Sequence, residues 1–466
     1  MITRRTFRPL RLALATATAA SLTAAVPLVV AQPAAAAPAK YGDDFNGDGY
    51  RDYAQTSEQG GAGFLVTYGT AAGPGTVSKK FTQASAGVPG TAGDAGGYSD
   101  LFGEDLAAAD FDRDGYGDLA VGDRSEKVGG KVSAGAVTIM WGGKSGLGAK
   151  ATRLASQPVT RYGFGADVET GDFDGDGRTD LAVADGSHTV HIFRGGFSQA
   201  GKTGKVTEHR RPVSASGMEN AGLVAGKVTK DKATDLYVLA TGYRNGKETQ
   251  NAWFLRGGST VKISGADVTV NSSTPGYGAP GVVADFDKDG YGDLAVGDSR
   301  YNGSAGSVVV VRGGASGPST KYRLTQSTSG IVTAASKNDW FGGSLSAGDT
   351  DRDGYPDLAV GVWQEKVGSA EGAGGVHVLR GGAKGLSGTG SKWFTRATTG
   401  VPESPTEHEM FGVYLRLRDI DRDGDADLLV GDRRYGEEKT SLLFPGGPSG
   451  VSTGVKVIGL WPSFPQ

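Results

Sequence analysis

Six nine-residue segments of this 466-residue chain place acidic side chains at alternate positions around a glycine, in the pattern D-x-D-x-D-G-x-x-D. They comprise Asp44, Asn46, Asp48, Gly49 and Asp52; Asp110, Asp112, Asp114, Gly115 and Asp118; and Asp172, Asp174, Asp176, Gly177 and Asp180. The later three are Asp285, Asp287, Asp289, Gly290 and Asp293; Asp349, Asp351, Asp353, Gly354 and Asp357; and Asp419, Asp421, Asp423, Gly424 and Asp427. A hard dication takes about six to eight oxygens, and alternate residues of a tight loop converge on one point when a glycine at position six permits the sharp turn. The backbone carbonyl of position seven (Tyr50, Tyr116, Arg178, Tyr291, Tyr355 or Asp425) adds a further oxygen. Flexible carboxylates in this number favour Ca2+ over Mg2+, which keeps more of its water.

Two other loop types share part of this pattern. An EF-hand needs a bidentate Glu at position twelve and then a helix. Here position twelve is Gln55, Val121, Val183, Val296, Val360 or Val430, in strand-like sequence. Ordinary Asp/Gly turn chemistry without metal explains one such loop. Six in register, each with three or four carboxylates, repel strongly unless a cation joins them. About six calcium sites are therefore expected.

A seventh copy departs: Lys227, Thr229, Asp231, Lys232 and Asp235 occupy the corresponding places. No calcium is expected there. Either Lys227 or Lys232 brings its ammonium to the vacant slot, or the loop has simply lost its metal.

These loops need elements to position them. The aspartate at position nine opens an apolar run each time, as in Asp118-Leu119-Ala120-Val121 and Asp357-Leu358-Ala359-Val360, at intervals of 66, 62, 55, 58, 64 and 70 residues. Seven units of about sixty residues fill 40–466 and leave no room for another domain. Each unit reads as four strands: a small-residue strand such as Leu345–Gly348, the Asp loop and its apolar strand, a third strand ending in paired glycines (Val308–Gly314, Val376–Gly382), and a more polar outer strand such as Lys321–Leu324. The paired glycines are expected to supply the φ > 0 turn into the outer strand. No long stretch has helical periodicity. The fold class is all-β, a seven-bladed β-propeller of four-stranded antiparallel blades, with the segment near Val455–Leu460 completing blade seven. An open solenoid is the alternative, and a closed ring protects its strand edges better.

Composition agrees. The chain has 79 Gly, no Cys and 4 Met, which excludes disulfides and cysteine-ligated zinc. Residues 1–39 read as a signal peptide: Arg4, Arg5, Arg8 and Arg11 precede the apolar stretch Leu12–Ala31, and small residues 34–39 offer a cleavage site. An Ala/Thr-rich stretch ending this way argues against a transmembrane anchor. Thr3-Arg4-Arg5-Thr6-Phe7 resembles a twin-arginine motif, with Arg8 in place of an apolar residue, so both that route and general secretion stay open. Removing four Arg leaves 44 basic and 51 acidic side chains, a formal charge of −7 with no basic stripe for nucleic acid. The expected product is secreted and extracellular, with no membrane span in the mature protein.

Phe102-Gly103, Phe164-Gly165, Phe341-Gly342 and Phe411-Gly412 (with Tyr277-Gly278 as a variant), together with the Asp loop and the apolar-Gly strand after it, resemble FG-GAP repeats. Such repeats are known from the integrin-α propeller and from bacterial secreted proteins. The Gly-Ala-Pro part departs, reading Gly122-Asp123, Ala184-Asp185, Gly297-Asp298, Gly361-Val362 and Gly431-Asp432. The resemblance implies the propeller and its metal, not a ligand.

Three functions fit. The leading one is an extracellular adhesion or ligand-binding module for glycan or protein. Its contacts are expected on the face opposite the Asp loops, through Tyr301, Trp363 and Arg433, beside Tyr98, Trp340 and the stretches Gln83–Asp100, Gln326–Asp339 and Arg396–Glu409. The alternatives are a calcium-dependent polysaccharide lyase or hydrolase, and a structural protein without a dedicated ligand. No catalytic residues are nominated and no enzyme is expected: His188, His191, His209, His377 and His408 are scattered, and the clustered acids are assigned to metal.

Overall fold

In the computed structural model the chain divides into two compact units, Met1–Ala35 and Ala36–Gln466. The described residues are Met1, 37–56, 63–93, 101–148, 150–156, 163–186, 189–210, 222–244, 247–264, 268–271, 280–433 and 441–459. The signal-peptide reading, Tyr98, His188, Tyr277-Gly278 and Leu460 lie outside them. No helix among the described residues is long and apolar enough to cross a membrane.

The second unit is a seven-bladed β-propeller of antiparallel sheets. Blade six shows the plan: Phe341–Gly348 innermost, then Asp357–Val362, Val376–Arg380 and Ser387–Phe394, each paired to the one before. The same order runs through blade two (Leu106–Ala109 to Ala151–Arg153), blade three (Asp167–Gly171 to Val206–Arg210) and blade five (Gly281–Ala284 to Lys321–Leu324). Blade four adds Val268–Asn271 beside its third strand, and blade one shows three paired strands, Tyr53–Thr56, Phe64–Thr70 and Gly73–Phe81. Lys456–Ile458 is the outer strand of blade seven, so that blade is completed from its own repeat.

The second and third strands are apolar because neighbouring blades cover both their faces. Leu358, Ala359 and Val360 are fully buried, as are Val308, Val310 and Val311. Blade seven closes against blade one through Ile420, Leu429 and Leu443 on Tyr53, with Arg418 ion-paired to Asp43.

Small innermost strands recur, as in Ala107–Ala109 and Gly222–Gly226, but two blades break the rule. Blade three contributes Glu169 and blade seven Arg416. Burial pushes the Glu169 carboxyl up to about 8, Asp105 adds to this, and the Arg416 charge opposes it. Opposite charges on these two innermost strands substitute for the small residues expected there.

Phe-Gly is an inter-blade fastener. The amides of Phe164, Phe341 and Phe411 donate to Ala134, Ala305 and Ala373 of the preceding blade at 2.8–3.1 Å. The glycine that follows has φ of 84–92° at Gly165, Gly342 and Gly412, and a Cβ there would overlap the previous blade's backbone.

The paired glycines behave differently from the expectation. At Gly313-Gly314 and Gly381-Gly382 the left-handed residue comes later, at Gly317 (φ 107°) and Gly385 (φ 86°). The first glycine is needed for space instead: a Cβ on Gly313 or Gly381 would collide with the carbonyl of Gly292 or Pro356.

On the opposite face the predicted variable stretches begin as stitches between blades. Gln83 donates to Asp123 (3.2 Å) and Glu126 (2.7 Å), Gln326 to Glu365 (2.7 Å), and Arg396 to Asp432 (2.5 Å). These three residues are buried, so they are not open to a ligand.

His377 belongs to the same seam. It is fully buried, stacks on Trp393 at 4.3 Å and shares a hydrogen bond with Thr333 Oγ1 at 2.8 Å. Burial holds its pKa down at about 3, against an ordinary 6.5. The unfolded chain therefore takes up a proton that the folded chain refuses between those values, and stability falls as pH drops below about 6.5, by roughly 1.4 kcal/mol per unit. Denaturant unfolding at pH 7 and pH 5 is expected to show His377→Phe losing about 2 kcal/mol less than the unsubstituted protein over that interval. Equal losses would rule this group out as the source.

Candidate metal centres

Each Asp loop leads into the second strand of its blade, and in blades two to seven it joins that strand to the innermost one. Its shape is set by its own amides. The position-one carboxylate accepts the amides of positions five and six, as when Asp285 takes Asp289 (3.0 Å) and Gly290 (2.8 Å), and Asp172 takes Asp176 (2.9 Å) and Gly177 (3.0 Å). The position-five carboxylate accepts the amide of position seven at 2.8–3.0 Å in all six complete loops. Glycine at position six has φ between 83° and 95° in those six, as its place in the motif requires.

Three carboxylates then converge in five loops, with oxygens within 4.8 Å of one another: Asp110, Asp112 and Asp118; Asp172, Asp174 and Asp180; Asp285, Asp287 and Asp289; Asp349, Asp351 and Asp353; Asp419, Asp421 and Asp427. Asp114, Asp176, Asp293, Asp357 and Asp423 lie in the same loops outside those trios. Loop one forms no such trio; Asn46 at position three donates to Asp48 (2.9 Å). Three buried oxygens at ligand positions, Asp112 Oδ1, Asp293 Oδ2 and Asp419 Oδ1, have no protein partner. A hard cation fits this donor set, because it engages oxygens that nothing else satisfies.

The aspartate at position nine has a second role. It is at most 2% exposed in all seven blades, including blade four. One oxygen accepts the amide of a glycine at or just past the end of strand three, at 2.7–3.0 Å, from Gly69, Gly142, Gly195, Gly257, Gly313, Gly381 and Gly446 in turn. In most blades the other oxygen takes an amide from the start of the loop: Phe45 (2.8 Å), Phe111 (2.9 Å), Phe173 (2.8 Å), Thr229 (2.7 Å), Ile420 (3.0 Å). Burial, opposed by these amides and reinforced by neighbouring aspartates, pushes Asp118 up to about 8 and Asp52 up to about 7.

Blade four keeps that clamp and fills the rest of its loop with protein cations. The Lys227 ammonium donates to the Lys232 carbonyl, and Asp231 is paired with Arg256 at 3.1 Å.

Arginines absent from the sequence-based site surround other loops. The arginine that ends strand three or directly follows it pairs with the position-three carboxylate in blades three, five and six: Arg194 with Asp174 (3.0 Å), Arg312 with Asp287, and Arg380 with Asp351. Arg-Gly-Gly recurs in the sequence at all three and was legible as a pattern.

At the other end, Trp363 stands edge-on to Trp340 with ring centroids 4.7 Å apart, and its Nε1 is buried without a partner. Tyr301 lies under the Arg323 guanidinium at 4.2 Å, and Arg433 is exposed with its amide on the Glu409 carbonyl (2.8 Å). The three belong to separate blades. A cleft of about 430 Å³ between blades two and three is lined by Phe164, Asp185, Thr189, His191, Glu208 and Arg210, a feature not anticipated from the sequence.

The clamp yields a prediction free of any metal. Asp235→Ala strands the buried amides of Thr229 and Gly257, and a cost of about 3 kcal/mol is expected. Asp231→Ala removes a half-exposed ion pair and is expected to cost under about 1 kcal/mol. Denaturant midpoints compare the two; equal costs would contradict the clamp.

Comparison with known proteins agrees with this geometry. The family model for the FG-GAP-like repeat matches residues 110–183, and that for the FG-GAP repeat matches 341–379. Integrin alpha-PS2 of Drosophila melanogaster is 28% identical over 223 residues, 43% of this chain and 15% of that protein. Phosphatidylinositol-glycan-specific phospholipase D of Rattus norvegicus is 30% identical over 153 residues, 32% of this chain and 17% of that protein. The matches thus span less than a fifth of either relative's length. Among solved structures, the Dos1 propeller aligns over 85% of this chain and 83% of its own (7% identity, TM-score 0.44). AofleA from Arthrobotrys oligospora aligns over 78% and 88% (12% identity, TM-score 0.38). The two family matches, set on blades two to three and blade six of one repeating architecture, identify the chain as a seven-bladed β-propeller carrying FG-GAP repeats.

Proposed function

We propose that this protein is a secreted, calcium-loaded adhesion or ligand-binding module for glycan or protein, not an enzyme. The carrying observation is the convergence of three carboxylates in five loops, three of them holding a buried oxygen with no protein partner. Asp44, Asn46 and Asp48 with the Tyr50 carbonyl supply the sixth site, and blade four has none. Calcium there neutralises repulsion among acids that the fold brings together and braces each loop against the strands it joins.

Ligand contact belongs on the other end, where Tyr301, Trp363, Arg433 and the cleft beside His191 present aromatic, acidic and basic groups. The aspartates of the six loops are committed to loop and clamp, which supports binding without turnover.

Metal titration with thermal unfolding tests the reading. With Kd near 0.1 mM and about 1 mM calcium, each site adds about 1.4 kcal/mol, about 8 kcal/mol in all. Chelation is then expected to lower Tm by roughly 9 °C. Asp114→Ala or Asp289→Ala removes one bound calcium, Asp231→Ala none. On a glycan array, Trp363→Ala, Tyr301→Ala and Arg433→Ala weaken binding with calcium content unchanged. A Tm unmoved by EDTA, with no calcium by elemental analysis, refutes the calcium half; turnover of a polysaccharide refutes the non-catalytic half.

A further inference from the structure

We infer that the calcium loops fall into two affinity classes, set by the arginine at or just past the end of strand three. This rests on the calcium reading above and concerns which loops fill first.

The ligand positions of loops two and seven each carry four aspartates, a formal −4. Among the described residues no cation makes an ion pair with Asp110, Asp112, Asp114 or Asp118; Lys150 donates to Gln199 (3.2 Å), and its charge reaches Asp114 without an ion pair. Beside loop seven, Arg352 pairs with Asp425 at position seven (2.8 Å), whose side chain is not a ligand, and with the Asp423 carbonyl (2.6 Å). Both loops also hold an orphaned buried oxygen, Asp112 Oδ1 and Asp419 Oδ1; the orphaned oxygen of loop five, Asp293 Oδ2, is on the clamp aspartate and not on position one or three.

Loops three, five and six carry the same four aspartates but hold a guanidinium on position three, which brings them to −3. Arg380 reaches furthest, to Asp351, to Asp353 (3.2 Å) and to Asp357 (3.4 Å). Each arginine covers its carboxylate, since the side chains of Asp174, Asp287 and Asp351 are 7%, 6% and 10% exposed. Arg194 and Arg312 are also held from the next blade, by the carbonyls of Ser259 (2.8 Å) and Lys384, so neither is free to swing away without cost. Loop one has no such arginine but carries Asn46, and it too stands at −3. Loop four, with Asp231 and Asp235 against Lys227 and Arg256, stands at zero.

A fixed guanidinium about 6 Å from a dication weakens its binding about tenfold even at the dielectric of bulk water. The ring then has two tight sites, four weaker ones and one blade that needs no metal. Falling calcium empties loops one, three, five and six while loops two and seven stay filled. The arginine then serves as the resident counter-charge that keeps three of those emptied loops from springing apart.

Calorimetric calcium titration of the full chain tests this, with melting followed at each calcium level. Two sites are expected about tenfold tighter than the other four, with the gap narrowing as salt rises. Arg312→Gln keeps most of the side-chain volume and drops the charge. It is expected to move one site from the weaker class to the tighter one and to lower the Tm of the calcium-free protein. Arg312→Lys keeps the charge and leaves the classes as they were, and Arg256→Gln in blade four leaves calcium binding unchanged. Uptake in a single class, or unchanged or weaker affinity on Arg312→Gln, overturns this inference alone. No calcium uptake at all overturns it together with the calcium reading.

Discussion

A buried carboxylate at the head of every second strand accepts the amide of a glycine at the end of strand three, and in most blades a second amide from the loop before it. In blade two, Asp118 takes the Phe111 amide at 2.9 Å from the loop before it and the Gly142 amide at 2.8 Å from the turn after strand three. The Phe111 amide is buried and the Gly142 amide part-buried, so losing the carboxylate would leave both without their partner. The carboxylate also dictates its partner. The turn must come within contact distance of the backbone beside the carboxylate, and only glycine leaves room. Strand length, turn position and loop entry in each blade follow from this one group.

The clamp explains the pattern of loss in blade four. Metal ligands there are replaced by lysine and threonine, yet Asp235 survives with both oxygens engaged, one by Gly257 at 2.9 Å. The position-nine aspartate answers to two constraints, and only one of them disappears with the metal. Its neighbours answer to charge alone, so a protein cation substitutes: Arg256 on Asp231, and an ammonium inside the loop.

Much of the fold was legible because the repeat is long, regular and marked by residues with narrow tolerances. A glycine at position six and a small innermost strand announce their backbone setting. The loops were legible for the same reason, since alternate carboxylates converge by local geometry. What the sequence hid depends on approach between elements far apart in the chain. The paired glycines looked like turn formers and are spacers for the clamp; Gly313 lies against residue 292, in a different connection. Arg194, Arg312 and Arg380 read as strand ends, and only the folded turn brings them over Asp174, Asp287 and Asp351. Gln83, Gln326 and Arg396 looked like the first residues of variable loops, yet each is buried in the next blade. Glu169 and Arg416 lie 247 residues apart and break the small-residue rule together, which no local window reveals.

The two ends of the propeller are therefore built on different terms. At the Asp-loop end nearly every polar group is held by backbone amides or by a counter-charge, and a change there propagates into the blade through the clamp. At the other end the stitches are side chain to side chain, Gln326 to Glu365 and Arg396 to Asp432, and they leave Trp363, Arg433 and the cleft beside His191 at the surface between them. Side-chain stitches tolerate replacement blade by blade: Gln83 and Gln326 do in two seams what Arg396 does in a third. An end fastened that way is free to vary its exposed residues while the blades stay in register, because the register is kept by the backbone amides of the Phe-Gly pairs and by carboxylates buried at the other end.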